Sequence, residues 1–154
     1  MALTLSVDAF SCGGPIPARH TCDGADESPG LSWSAVPPVV KSFALIVEDP
    51  DAPVGTWNHW LLWDLPASAR GLPQGFEPGS SGVSGRNDFG RRGYGGPCPP
   101  PGHGPHRYFF RLYALDKDSL GLAEGSNRRA LENALAGHLV AKAEYLGVYE
   151  RKKQ

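Results

Sequence analysis

Four side chains in this sequence can move a proton or hold an anion, and each stands at the edge of an apolar run: Asp49, His59, His106 and Tyr108. Asp49 opens the segment Asp49-Pro50-Asp51-Ala52-Pro53, one residue after the apolar run Phe43–Val47. A carboxylate at the end of a buried strand can have its pKa tuned by burial and by its neighbours, although Asp and Pro also make ordinary capped turns. His59 lies in Thr56-Trp57-Asn58-His59-Trp60. On a regular strand Trp57 and His59 share one face, and Asn58 and Trp60 the other. A third cluster, His103-Gly104-Pro105-His106-Arg107-Tyr108, leads into an aromatic run and sets His106 and Tyr108 on one face.

Such a set has three kinds of chemistry open to it. Imidazoles and a phenol can hydrogen-bond an anion such as phosphate. Asp–His pairs can serve as acid and base. Two histidines and a carboxylate can hold a metal, but no HxxxH or HxH spacing occurs here, so no metal site is expected. No GxSxG motif presents a nucleophile, and Cys98 sits in a proline run without catalytic context, so no enzyme and no catalytic residue are expected, with a hydrolase using His59 or His106 as base as the alternative. No GxxxxGK[ST] loop is present either, and no cofactor is expected.

The elements that must position these residues read as strands. Leu3, Leu5 and Val7 alternate with polar residues, as does Leu31–Val36 around Trp33. Phe43–Val47, Thr56–Leu65, Tyr108–Leu115 and Leu139–Tyr149 have strand composition. The continuous apolar runs 43–47 and 108–115 suggest strands covered on both faces. One helix is expected after an N-cap at Ser126 or Asn127, with Gly137 just past its end, and a short helical turn at Asp118–Ala123. Between Gly71 and Gly104 eleven glycines and several prolines leave little regular structure. Such a long loop inside a compact domain is often functional, and Gly93–Pro101 is expected to fold back as one wall of a site.

The chain has 154 residues, enough for one domain with a real core. With 20 Gly and 15 Pro it is poorly suited to a helical bundle, while 40% hydrophobic content argues against disorder. A net charge of −1 supplies no global drive toward nucleic acid or an anionic membrane. No apolar run reaches the roughly 18–20 residues of a membrane-crossing helix, so no stable membrane insertion is expected. The first residues, MALTLSVDAF, carry no basic run and meet Asp8 early, unlike a secretory signal, and a cytoplasmic location is expected. Cys12, Cys22 and Cys98 show no CxxC spacing and read as three reduced thiols, with a Cys12–Cys22 bridge as the alternative.

These pieces, in this order, resemble the phosphatidylethanolamine-binding protein family, in its prokaryotic Raf-kinase-inhibitor-like branch. The resemblance is carried by His20-Thr21-Cys22-Asp23-Gly24, Ser28-Pro29-Gly30-Leu31-Ser32-Trp33, Asp49-Pro50-Asp51-Ala52-Pro53, His59–Pro66, Gly93–Pro100 and His106-Arg107-Tyr108. It implies a mainly β fold, a β-sandwich around a large central sheet, with one or two short helices near the C-terminus. It also implies a pocket at the strand ends for a small anion such as phosphate or a phosphoethanolamine head group. By the family's pattern, Asp49, Pro53 (typically after a cis bond), Trp57, His59, His106 and Tyr108 build that pocket. Gly96 and Pro97 would supply a backbone amide and a wall. Asp51 would hold the turn and pair with Arg107. A further function the resemblance implies is inhibition of a serine protease, through an exposed loop within Gly79–Arg92. Prokaryotic relatives also imply a homodimer. The consecutive histidines of animal members are not matched around Asn58, and their C-terminal helix has no counterpart after Tyr149. Kinase regulation is therefore not implied.

Overall fold

A computed structural model describes residues 2–153. Its strands form two antiparallel sheets. The smaller sheet has the order β1 (Thr4–Val7), β2 (Leu31–Ser34), β5 (Gly71–Leu72). The larger has the order β6 (Val83–Ser84), β4 (Trp57–Pro66), β3 (Ser42–Asp49), β7 (His106–Leu115), β8 (Leu139–Tyr149). The fold is mainly β, as the strand patterns require.

Leu5, Val7, Leu31 and Trp33 from the small sheet pack on Phe43, Leu45, Val47, Trp60, Leu62, Phe110 and Leu112 of the large one. The reverse face of the large sheet buries Ala44, Ile46, Leu61, Trp63 and Leu115 under Leu120 and Leu131. β3 is therefore covered on both sides, which explains why every one of its residues is buried and why its sequence runs apolar without alternation. Leu131 comes from the helix α1 (Arg128–Leu135). The Asn127 side chain caps it, accepting from the amide of Ala130 at 3.0 Å. Gly137 follows at φ +82°, the left-handed conformation that ends helices.

The helical turn expected at Asp118–Ala123 does not form. Asp64 accounts for this: its carboxylate accepts from the amide of Leu120 at 2.9 Å and from the Ser119 hydroxyl at 2.8 Å. These bonds hold the segment in an irregular course while Leu120 is buried against Trp63 and Leu131.

β4 departs from a regular strand at two places. Its pairing with β3 slips between Phe43 and Leu45, near Asp64 at φ +56°, and again between Val47 and Glu48. At the second slip Val47 faces Trp60 but Glu48 faces Asn58, so His59 is the extra residue of a bulge. The alternation expected across Trp57–Trp60 is corrected accordingly. Asn58 bonds Arg128 of the helix, whereas His59 and Trp60 both meet aromatic rings on the opposite side, Tyr108 and Tyr94.

The cysteine expectation is also corrected. Cys22 and Cys98 form a disulfide, and Cys12 is the free, exposed thiol. The pair is 76 residues apart in sequence. Its approach depends on non-local contacts that spacing cannot reveal: Cys22 N–H donates to Pro97 O, Gly96 N–H to Asp26, and the Tyr94 hydroxyl to His20 O. Among the described residues no helix is long and apolar enough to cross a membrane.

Candidate functional site

The C-terminal end of β3, the N-terminal end of β4 and the N-terminal end of β7 lie side by side, because β3 pairs with both neighbours in antiparallel register. Asp49, His59, His106 and Tyr108 therefore converge. All four are at most 3% exposed. They and Trp57 line a cavity of about 260 Å³ whose remaining walls are mostly apolar: Pro53, Phe89, Cys98, Pro99 and Pro100 among them.

Asp49 organises one side. One carboxylate oxygen accepts the amide of Asp51 at 2.7 Å, and the other lies 2.6 Å from Nδ1 of His106. Asp49 thus turns the chain and orients a histidine at once. His59 is fixed from the other side. Its Nδ1 is 2.7 Å from Gly95 O, so Nδ1 carries the proton, and Gly95 N–H returns a bond to His59 O at 2.9 Å. Burial lowers the pKa of His59 against the opposing pull of the Gly95 carbonyl and Asp49. The neutral ring then presents Nε2 as an acceptor.

Tyr108 behaves oppositely. Burial first, and the Asp49 charge second, push its pKa up, so the phenol keeps its proton. Among the described residues its hydroxyl and the Trp57 indole N–H are buried polar atoms that make no hydrogen bond, although the Asp49 carboxylate lies close to the Tyr108 hydroxyl. Such groups normally find partners. Two unpaired donors and one imidazole acceptor at a single cavity suit a ligand that offers oxygen acceptors together with a proton.

The other residues singled out from sequence divide. Pro53 lines the cavity, and its turn closes through Gly55 N–H to Ala52 O at 3.0 Å. Among the described residues every peptide bond is trans, so the cis bond implied for Pro53 is absent. Gly96 and Pro97 stand behind the wall. The Gly96 amide donates to Asp26 at 2.7 Å, and a Cβ there would sit 2.2 Å from His20 O. The loop's contribution comes instead from the next three residues, Cys98 to Pro100.

Arg107 and Asp51 pair as expected, through two guanidinium bonds of 2.9 Å each, and Asp51 also accepts the Arg107 amide at 3.0 Å. The Arg107 side chain and its amide hold the Asp51 carboxyl down from its ordinary 3.8 to about 2. A lowered carboxyl pKa contributes stability above the unfolded value and loses it as pH falls toward the folded value. The wild type should therefore lose stability between about pH 4 and pH 2 with a contribution that Asp51→Asn lacks. Unfolding midpoints that converge over this window would confirm it; parallel curves would count against it. Both side chains are partly exposed, so the effect is small.

Among the residues at or beside the site that sequence did not place there, Phe89 and His103 matter most. Phe89 packs edge-on against Trp57 and His59, with ring centroids 5.6 and 5.3 Å away. It rides on a hairpin that buried Asn87 staples together, accepting from the amides of Phe89 and Arg91 and donating to Gly93 O. Asp88 fastens the hairpin to β4 by accepting from Asn58 N–H at 2.6 Å. A phenylalanine in a glycine-rich stretch, one of two there with Phe76, was the available signal. The other residue is His103, whose Nδ1 lies 2.6 Å from Nε2 of His106. Its presence three residues before His106 was visible, its contact was not.

A sequence model of the phosphatidylethanolamine-binding protein family matches residues 6–150. A UPF0098 protein of Aquifex aeolicus is 50% identical over 146 residues, covering 93% of this chain and 85% of that protein. One from Pyrococcus horikoshii is 47% identical over 143 residues, covering 89% and 71%. Among solved structures, Escherichia coli YbcL, described as a member of the mammalian phosphatidylethanolamine-binding protein family, superposes with a TM-score of 0.92 at 35% identity, covering 99% of this chain and all of its own. A Chlamydia trachomatis homolog of the same family superposes at 0.90 with 42% identity, covering 97% and 98%. Fold, strand-end pocket and sequence agree: the chain belongs to the phosphatidylethanolamine-binding protein family.

Proposed function

We propose that this protein binds a small phosphate-type anion, free or as a phospho-head group, in the pocket at the ends of β3, β4 and β7, and uses that binding in regulation rather than catalysis. The observation that supports this most is the pair of unpartnered buried donors, Tyr108 O–H and Trp57 N–H, at the same cavity as the neutral His59. The donors suit phosphate oxygens. His59 Nε2 suits an acid proton of a phosphate monoanion, which a monoester carries once and free phosphate twice. Phosphate monoesters lose that proton near pH 6. Binding is therefore stronger at mildly acidic pH because of the ligand's proton, not because His59 becomes charged.

Calorimetric titration with inorganic phosphate and phosphoethanolamine, at pH 6 and 7.5, tests the reading on wild type and His59→Ala. The expected result is one saturable site, tighter at pH 6, that the substitution weakens more than tenfold. A folded wild type that takes up neither ligand overturns it. Phosphate release from phosphoethanolamine under catalytic amounts of protein would show turnover and replace the binding role with a hydrolytic one.

A further inference from the structure

His106 reaches the cavity with both ring nitrogens already engaged. Nδ1 lies 2.6 Å from the Asp49 carboxylate, and Nε2 lies 2.6 Å from Nδ1 of His103. Only one of these poles can turn to a ligand, since the Asp49 bond is buried with side chains 2% and 4% exposed. The other pole is covered by a residue from the chain's own surface. His103 is exposed, its ring centroid 4.8 Å from that of His106. The charged or titratable groups around His106 are Asp49, His103, Tyr108 stacked at 6.5 Å, Asp51 with its Arg107, and Tyr149 opposite on β8.

The segment that carries His103 can let it go. Gly102 and Gly104 flank it at φ +77° and +90°, conformations open to glycine and rarely to other residues. A Cβ at Gly104 would meet nothing within 4 Å, so this side of the turn is not packed. The turn stays anchored at Gly102, whose amide donates to Arg151 O at 2.8 Å. The ring of His103 can therefore leave His106 without unfolding the wall formed by Cys98, Pro99 and Pro100.

We infer that His103 is an internal stand-in for the ligand: it occupies Nε2 of His106, and an anion that enters the pocket takes its place. The inference rests on the anion-binding reading above. Once His103 leaves, Nε2 meets the ligand directly, donating to a ligand oxygen when His106 is protonated, or accepting from the second acid hydroxyl that dihydrogen phosphate carries when His106 is neutral. In either state the protein–protein bond is lost before the protein–ligand bond is gained, which lowers affinity.

His103→Ala removes the competitor from an exposed position and leaves the fold in place. A net hydrogen bond of ordinary strength corresponds to an affinity change of about two- to tenfold. The variant is expected to bind inorganic phosphate more tightly than wild type by that factor at pH 6. In wild type, nitrogen-15 spectra of the imidazoles should show His103 Nδ1 moving from a hydrogen-bonded to a free shift as phosphate saturates the site. Equal or weaker binding by His103→Ala overturns the inference, as does a His103 resonance that phosphate leaves unmoved. If wild type binds no phosphate at all, the anion-binding reading fails and this inference with it. If wild type binds but His103→Ala gains nothing, this inference alone fails.

Discussion

Trp63→Ala should lower the stability of this protein by about 3–5 kcal/mol, the range found for removing a buried Trp or Phe. Trp63 is 0% exposed and lies between β4 and the layer formed by Leu120 and Leu131. Its surroundings are poorly placed to collapse into the space. Opposite the ring runs the backbone at Gly85, where an added Cβ would sit 2.7 Å from Trp63 Cζ3, 2.7 Å from Ser126 O and 2.9 Å from Leu61 Cβ. That backbone is held by Gly85 N–H to Leu61 O at 2.8 Å. A cavity therefore remains where the indole was. Trp63→Phe should cost much less, because Trp63 Nε1 is buried without a partner among the described residues and the phenyl ring removes that unsatisfied donor. Urea midpoints at unchanged m-value report the two costs. An alanine variant within 1 kcal/mol of wild type would show that the layer does collapse.

The second large effect is expected from reduction of the Cys22–Cys98 disulfide. With the cysteines 76 positions apart, loop entropy in the unfolded chain amounts to about 4–5 kcal/mol, an upper value for what the bridge contributes. Both cysteines are exposed, so a reductant reaches the sulfurs in the folded protein. Unfolding midpoints with and without a phosphine reductant should differ by several kcal/mol. The Cys22→Ser/Cys98→Ser double variant should match the reduced protein, and Cys12→Ser should match the oxidised one. Identical midpoints with and without reductant would mean that the noncovalent ties between residues 18–27 and 94–97 already fix this part of the fold. In a reducing cytosol the dithiol form is the one expected to prevail, and in an oxidising compartment the bridged form.

Strand identity was legible wherever burial imposes a period. β1 and β2 alternate because only one face meets the core, and β3 does not because both do. Asp49, His59, His106 and Tyr108 could be assembled from sequence because each marks the end of such a strand. What stayed hidden depends on contacts distant in sequence. The bulge that turns His59 and Trp60 to one side is a register slip between β3 and β4, and no local residue preference announces it. The irregular, non-helical course of Asp118–Ala123 is imposed by the Asp64 carboxylate, more than fifty residues earlier in the chain. Gly93–Pro101 folds back as a wall of the site as its glycines and prolines suggested, through Cys98 to Pro100, but nothing local announced that Phe89 would join it, because periodicity says nothing about where an irregular segment goes.

The bridge between Cys22 and Cys98 also closes a covalent ring that includes β2 to β6 and the Phe89 hairpin. Residues 79–81, exposed and irregular, lie inside that ring. A protease that cut there would leave two fragments still joined, one ending and the other beginning at the nick, with β3 and β7 paired across them. The clipped molecule would migrate as an intact chain until a reducing agent was added. Cleavage outside the ring, beyond Cys98, would release a separate piece at once wherever noncovalent contacts let it go.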